Sequence, residues 1–214
     1  MNDLLQYDYS PPASPEDGGT VAVFLHGRGS HRGDLQALRP LMPPEWALVT
    51  PQAPHAGHSW GYGPGWAWYK YVEEDRLVEE TLAHSLSALE PFLDQLPVLL
   101  GFQPGRIVVG GFSQGGTTSM ALAISRPDMV AAVINFSGFL AESVEVPFSA
   151  LSPGTPPIFW GHGLSDPSIP HTLAVTGRRR LDAAGMRLEA HDYDIGHWIA
   201  PEEMRDAVAF VESL

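Results

Sequence analysis

The chain of 214 residues contains no cysteine. That absence removes disulfide frameworks, CxxC redox pairs, thiolate zinc sites and a cysteine nucleophile together. Basic residues are scarce: 12 Lys and Arg stand against 25 Asp and Glu, for a formal net charge of −13 at pH 7. A field of that sign repels phosphate backbones and anionic membrane surfaces, so nucleic acid is not an expected partner. The one basic cluster, Arg178-Arg179-Arg180, falls in a helical stretch and reads as a solvated face. No run approaches the ~18 apolar residues of a membrane span. The opening MNDLLQYDYSPP has neither the basic region nor the apolar stretch of a signal peptide. The expectation is a soluble, cytoplasmic protein that does not insert into membranes.

What the chain does have is alternation. Short apolar, β-branched runs at Val21–Leu25, Ala47–Thr50, Arg106–Gly110, Ala132–Phe136, Ile158–Gly161 and Leu188–Asp192 are separated by segments of helical period. Helices are expected at Asp34–Leu41, Val72–Leu93, Gly115–Ser125, His171–Ala184 and Glu202–Leu214. In the long one, Leu77, Val78, Leu82, Leu86, Leu89 and Leu93 form one stripe. This order predicts an α/β protein with a mostly parallel central sheet and helices on both faces. Without a repeat, a linker or a shift in composition, residues 1–214 read as one domain. Two stretches fit neither period: the aromatic Pro51–Tyr71 and the proline- and serine-rich Gly138–Pro157.

Gly111-Phe112-Ser113-Gln114-Gly115 is a GxSxG pentapeptide between a buried-type strand and an apolar, small-residue helix. A strand turning straight into a helix forces its serine into a strained backbone, and the flanking glycines keep side chains out of the crowded turn. The serine oxygen is then exposed above the sheet. At a helix start, unpaired N–H groups favour the negative charge that develops in acyl transfer.

A serine at its ordinary pKa needs a base, and the base needs an orienting acid. In hydrolases built on such a turn the order along the chain is nucleophile, acid, base. Of the histidines after Ser113, His162 precedes the best acid, His171 opens a helix and His191 lies inside a strand. His197, in the loop Ile195-Gly-His-Trp-Ile199, is the expected base. Asp166, in Gly163-Leu-Ser-Asp-Pro-Ser-Ile-Pro170 after a strand end, is the expected acid. Asp192 and Asp194 lie too near His197 in sequence to reach its far side, while Glu142 and Glu145 follow an earlier strand. The turn His26-Gly27-Arg28-Gly29 after the first strong strand lacks the patterns of nucleotide loops. It offers the backbone N–H of Arg28 as an oxyanion donor beside that of Gln114. No metal is expected: His31, His55 and His58 lack an acidic ligand at motif spacing.

Four landmarks in one order, LHGRG at 25–29, GFSQGG at 111–116, HGLSDPSIP at 162–170 and GHWI at 196–199, resemble the phospholipase/carboxylesterase family of small α/β-hydrolases, which includes the acyl-protein thioesterases. The resemblance runs from about Val21 to the C-terminus. It implies a serine esterase without a large inserted lid and without a cofactor, acting on a small-molecule ester. It places the same roles on Ser113, Asp166, His197, Arg28 and Gln114. Arg28 stands where thioesterase members carry leucine, which points towards the bacterial esterase branch. Lysophospholipase or acyl thioesterase activity would demand a long apolar groove, and a silent binding module would have no reason to keep all four elements. In the aromatic loop, which resembles the family's loop after the second strand, Trp66, Trp68 and Tyr69 are the expected lining of an acyl pocket. The aromatics of 60–71 would serve equally as a substrate entrance or as the contact of a homodimer.

Overall fold

A computed structural model of the chain describes residues 4–15, 17–144 and 156–214. It opens with β1 (Tyr7–Ser10), β2 (Thr20–Leu25) and β3 (Ala47–Pro51). Two small hairpins follow, β4 (His55–Ala56) with β5 (Trp66–Ala67) and β6 (Tyr71–Glu73) with β7 (Arg76–Leu77). Helices α1 (Glu79–Asp94) and α2 (Leu96–Leu100) lead into β8 (Arg106–Phe112) and α3 (Gln114–Ser125). The remainder runs β9 (Ala132–Phe136), β10 (Ile158–Gly163), α4 (His171–Ala183), β11 (Leu188–Tyr193) and α5 (Pro201–Glu212).

The seven long strands form one sheet in the order β1-β3-β2-β8-β9-β10-β11, parallel throughout except for β1 on β3. Its central strands bury both faces, as parallel strands must when helices cover them. Along β2, Val21, Val23 and Leu25 pack on one side with Leu82, Leu89 and Phe92 of α1 and Met120 of α3. Ala22 and Phe24 point the other way, into a core with Leu35, Leu38 and, from α5, Met204 and Phe210. From β2 the chain first turns to β3 on one side, then crosses to β8 on the other. The carboxyl ends of β2 and β8 therefore flank the crevice where ligands bind in such sheets.

Three expectations are corrected. The helix expected over Val72–Leu93 begins only at Glu79. Glu74 sits at φ 49 in the turn of the β6–β7 hairpin, a conformation that no helix interior accommodates, and Val78 is extended. Leu77 continues the apolar stripe by period but is buried from a strand. Secondly, the arginine cluster is not simply a solvated face. Arg178 holds Asp192 at 2.6 Å and the carbonyls of Trp160 and His191, while Arg180 donates to the carbonyls of Leu140, Ala141, Glu142 and Val144. Of the three, Arg179 is the exposed one. Thirdly, β1 adds an antiparallel edge to the expected strands. Glu145 and most of the connection Gly138–Pro157 lie outside the described residues.

Candidate active site

Strand β8 passes into α3 through one residue, Ser113, at φ 55 and ψ −115. A non-glycine residue there carries backbone strain of order 1–3 kcal/mol, sustained only where the surroundings fix it. They do so here: Ser113 N–H donates to the Phe136 carbonyl at 2.8 Å, and its own carbonyl accepts from Thr117 N–H at 3.1 Å. The turn tolerates no side chain at Gly115, where a Cβ would run into the Leu25 carbonyl, nor at Gly111, which meets the same oxygen.

Asp166 is buried, with no side-chain exposure. Its Oδ1 accepts backbone N–H bonds from Ser168 and Ile169, each 2.8 Å, and its Oδ2 lies 2.6 Å from His197 Nδ1. Burial works against its ionisation, but the His197 bond and the two backbone donors outweigh it and hold the carboxyl below the usual carboxylate range. An ionised acceptor puts a proton on His197 Nδ1 and leaves Nε2 with the lone pair. The imidazole is backed by the Phe112 ring at 4.6 Å between centroids.

The other late histidines make their hydrogen bonds elsewhere, although His162 Nε2 also lies 3.7 Å from Asp166 Oδ2. His162 Nε2 bonds the Ile169 carbonyl at 2.9 Å, His171 Nε2 lies 2.9 Å from Asp192 Oδ1, and His191 bonds Glu189 at 3.0 Å. Asp192 is also taken by Arg178, and Asp194 and Glu142 are exposed.

Ser113, Gln114, His197, Gly27 and Arg28 line one cleft of about 260 Å³, closed on its apolar side by Tyr69, Tyr71, Phe112, Phe139 and Ile169. Among the described residues neither the Arg28 nor the Gln114 N–H has a protein acceptor, so both remain available to an oxygen in the cleft. Of the three aromatics expected as lining, the cleft receives Tyr69 alone. Trp68 is wholly buried behind it, with Nε1 donating to the His26 carbonyl. Trp66 belongs to β5, whose backbone is tied to Gly29 and Ser30. In their place Tyr71, Phe112 and Phe139 line the cleft.

A phospholipase/carboxylesterase family model matches residues 12–214. The chain belongs to that family. An acyl-protein thioesterase 1 of Neurospora crassa is 30% identical over 217 residues, covering 92% of this chain and 86% of the relative. Among solved structures, the esterase PE8 is 27% identical with a TM-score of 0.76, covering 99% of each chain. A Mesorhizobium loti carboxylesterase is only 16% identical yet superposes with a TM-score of 0.84 over 100% of this chain and 98% of its own. The protein is thus an α/β-hydrolase and an enzyme of the carboxylesterase type.

In this member of the phospholipase/carboxylesterase family the side chain of the GxSxG glutamine has a structural task that its spacing did not reveal. The Gln114 side chain is buried; its Oε1 accepts from Trp68 N–H at 3.1 Å and its Nε2 donates to the Tyr69 carbonyl at 2.8 Å. It thereby pins the aromatic loop against the start of α3. Gln114→Leu strands a buried donor and a buried acceptor, and unfolding in urea will register a loss of about 2–4 kcal/mol.

Glu203, also invisible to motif reading, lies fully buried at the start of α5, four residues after the loop that carries His197. Its Oε2 accepts from Ala200 N–H. Burial raises its carboxyl to about 8; Glu202 and Asp206 add to the rise and the Ala200 N–H opposes it. Unfolded, the group titrates near 4.5. Between those values the folded protein retains a proton that the unfolded chain has lost, so stability falls as pH rises from about 4.5 to about 8 and levels beyond. Glu203→Gln keeps the acceptor and cannot ionise. Its melting temperature is expected to exceed the wild type's above about pH 8 and to change less below it, as a scan across pH will read.

Proposed function

We propose that the protein hydrolyses carboxylic esters through a Ser113–His197–Asp166 triad and an acyl-enzyme. His197 Nε2 takes the hydroxyl proton of Ser113 as Oγ attacks the ester carbonyl. The tetrahedral oxyanion accepts from the N–H groups of Arg28 and Gln114, whose placement ahead of the reaction is what makes such donors effective. His197 then returns the proton to the departing alkoxide, and the alcohol leaves. In the second half a water gives its proton to His197 and attacks the acyl carbonyl, and Ser113 departs with that proton. Asp166 stays ionised throughout, holding the tautomer and stabilising the transient imidazolium.

The observation that carries this reading is the 2.6 Å bond between His197 and the buried, otherwise satisfied Asp166, on a histidine opening onto the same cleft as the strained Ser113. As bounded by the described residues, the cleft measures about 260 Å³, below the usual range of ligand pockets, which supports a compact ester over a long acyl chain. Turnover of 4-nitrophenyl esters from acetate to palmitate tests the reading. Activity is expected to peak among the short chains, and absence of turnover across the series would defeat it. The thioesterase names of the relatives make thioesters the second substrate class to try, by comparing oxygen and sulfur esters of one acyl group.

A further inference from the structure

Building on the esterase reading, we propose that Arg28 makes the cleft selective for esters that carry a carboxylate near the scissile carbonyl. Its side chain lines the cleft and is exposed. Arg32, Arg76, Arg106, Arg126 and Arg178 each pair with an acidic side chain, whereas among the described residues Arg28, like Arg179, Arg187 and Arg205, has neither an ion-pair partner nor a hydrogen-bonded acceptor, and of these four it is Arg28 that lines the cleft. Asp34 borders the same cleft but is held by Ser30 Oγ at 2.7 Å and is not within ion-pair distance of Arg28.

What Arg28 does have is an aromatic cradle. Its guanidinium carbon lies 5.1 Å from the Tyr62 ring centroid and 5.9 Å from that of Tyr71. The cradle is itself fixed: Tyr71 N–H donates to Tyr62 Oη at 2.8 Å, and Tyr71 Oη donates to the Glu74 carbonyl at 2.9 Å. Contact with ring faces restrains a guanidinium and stabilises its charge without consuming its N–H donors. The planar fork therefore remains free for a carboxylate, which it fits in two parallel bonds. The backbone N–H of the same residue is a proposed oxyanion donor, so the charge it would read lies within one arginine side chain of the reacting carbonyl. In a protein of net charge −13, an anionic substrate is otherwise repelled, and a local unpaired cation is what would admit it.

The test uses two matched pairs. In the first, 4-carboxyphenyl and 4-carbamoylphenyl butyrate differ in charge on the alcohol side. In the second, mono-4-nitrophenyl adipate and 4-nitrophenyl hexanoate differ on the acyl side. With kcat/KM normalised to spontaneous hydrolysis, the wild type is expected to prefer the anionic member of at least one pair by about tenfold or more, the scale of a charge-assisted hydrogen bond. Arg28→Leu should remove the preference, Arg28→Lys should keep part of it, and added salt should shrink it. Calorimetry on Ser113→Ala, with and without Arg28→Leu, reads the same preference as binding without turnover. Equal ratios in wild type and Arg28→Leu, or equal binding of charged and neutral esters, would overturn the proposal. Preferential binding without turnover of any ester would instead overturn the esterase reading alone.

Discussion

Ser113→Ala is expected to lower kcat on 4-nitrophenyl esters by about 10⁴–10⁶ while leaving the circular dichroism spectrum and melting temperature close to those of the wild type. The size follows from the removal of the atom proposed to form the acyl-enzyme; only the proposed oxyanion donors and substrate binding would remain to accelerate direct attack by water. The neutrality of the fold follows from geometry. Ser113 contributes its backbone, not its hydroxyl, to the turn: its N–H is held by Phe136 and its carbonyl by Thr117 N–H. Alanine keeps both bonds. A large loss of stability in this variant would mean that the hydroxyl has a structural task and would weaken the assignment of nucleophile.

Asp166→Asn should reduce kcat by about 10³–10⁴. An amide oxygen in the place of Oδ1 still accepts from Ser168 and Ile169 N–H, so the loop keeps its shape. The amide nitrogen then faces His197 Nδ1 as a donor, forcing the ring proton onto Nε2. The imidazole stays in position with the wrong nitrogen protonated and cannot accept from Ser113. Asp166→Ala, which also strips the loop of its two backbone bonds, should cost similar activity and additional stability. Steady-state kinetics and thermal melts on the two variants separate these effects. A Asp166→Asn enzyme within tenfold of wild type would show that His197 does not depend on this carboxyl for its tautomer.

The parts of this site that could be read from the chain are those in which chemistry dictates local sequence. GxSxG is legible because its glycines answer a steric demand of the strand-to-helix turn, seen in the Leu25 carbonyl that bars a side chain at both Gly111 and Gly115. The pairing of Asp166 with His197, a 2.6 Å bond in the structure, is legible from chain order and from their place after strand ends. The central sheet is legible because strands buried on both faces write unbroken apolar runs. Where the reading fails, the deciding contacts come from far along the chain. β1 is four half-buried residues without alternation, defined by pairing with β3. Leu77 satisfies helical period by coincidence, since a hairpin ends where α1 begins. Trp68 looks like a lining residue by composition, but its backbone is drawn inward by Gln114, 46 residues later in the chain. Arg180 looks solvated, yet it closes four carbonyls in the segment after β9.

The aromatic loop also gains a physical explanation. Its backbone is stitched to the Gly29–Ser30 turn through Trp66 and to the start of α3 through Gln114. The segment that shapes the cleft wall is thus held by the same two turns that supply the proposed oxyanion donors, and a shift in either would move wall and donors together.

The central claim is that Ser113 alone is the activated nucleophile, and fluorophosphonate labelling followed by peptide mass spectrometry tests it most directly. The prediction is one stoichiometric adduct, on the peptide carrying Ser113, lost in Ser113→Ala and strongly slowed in His197→Ala. Folded wild-type protein that takes no label, or takes it on another serine, would contradict the account.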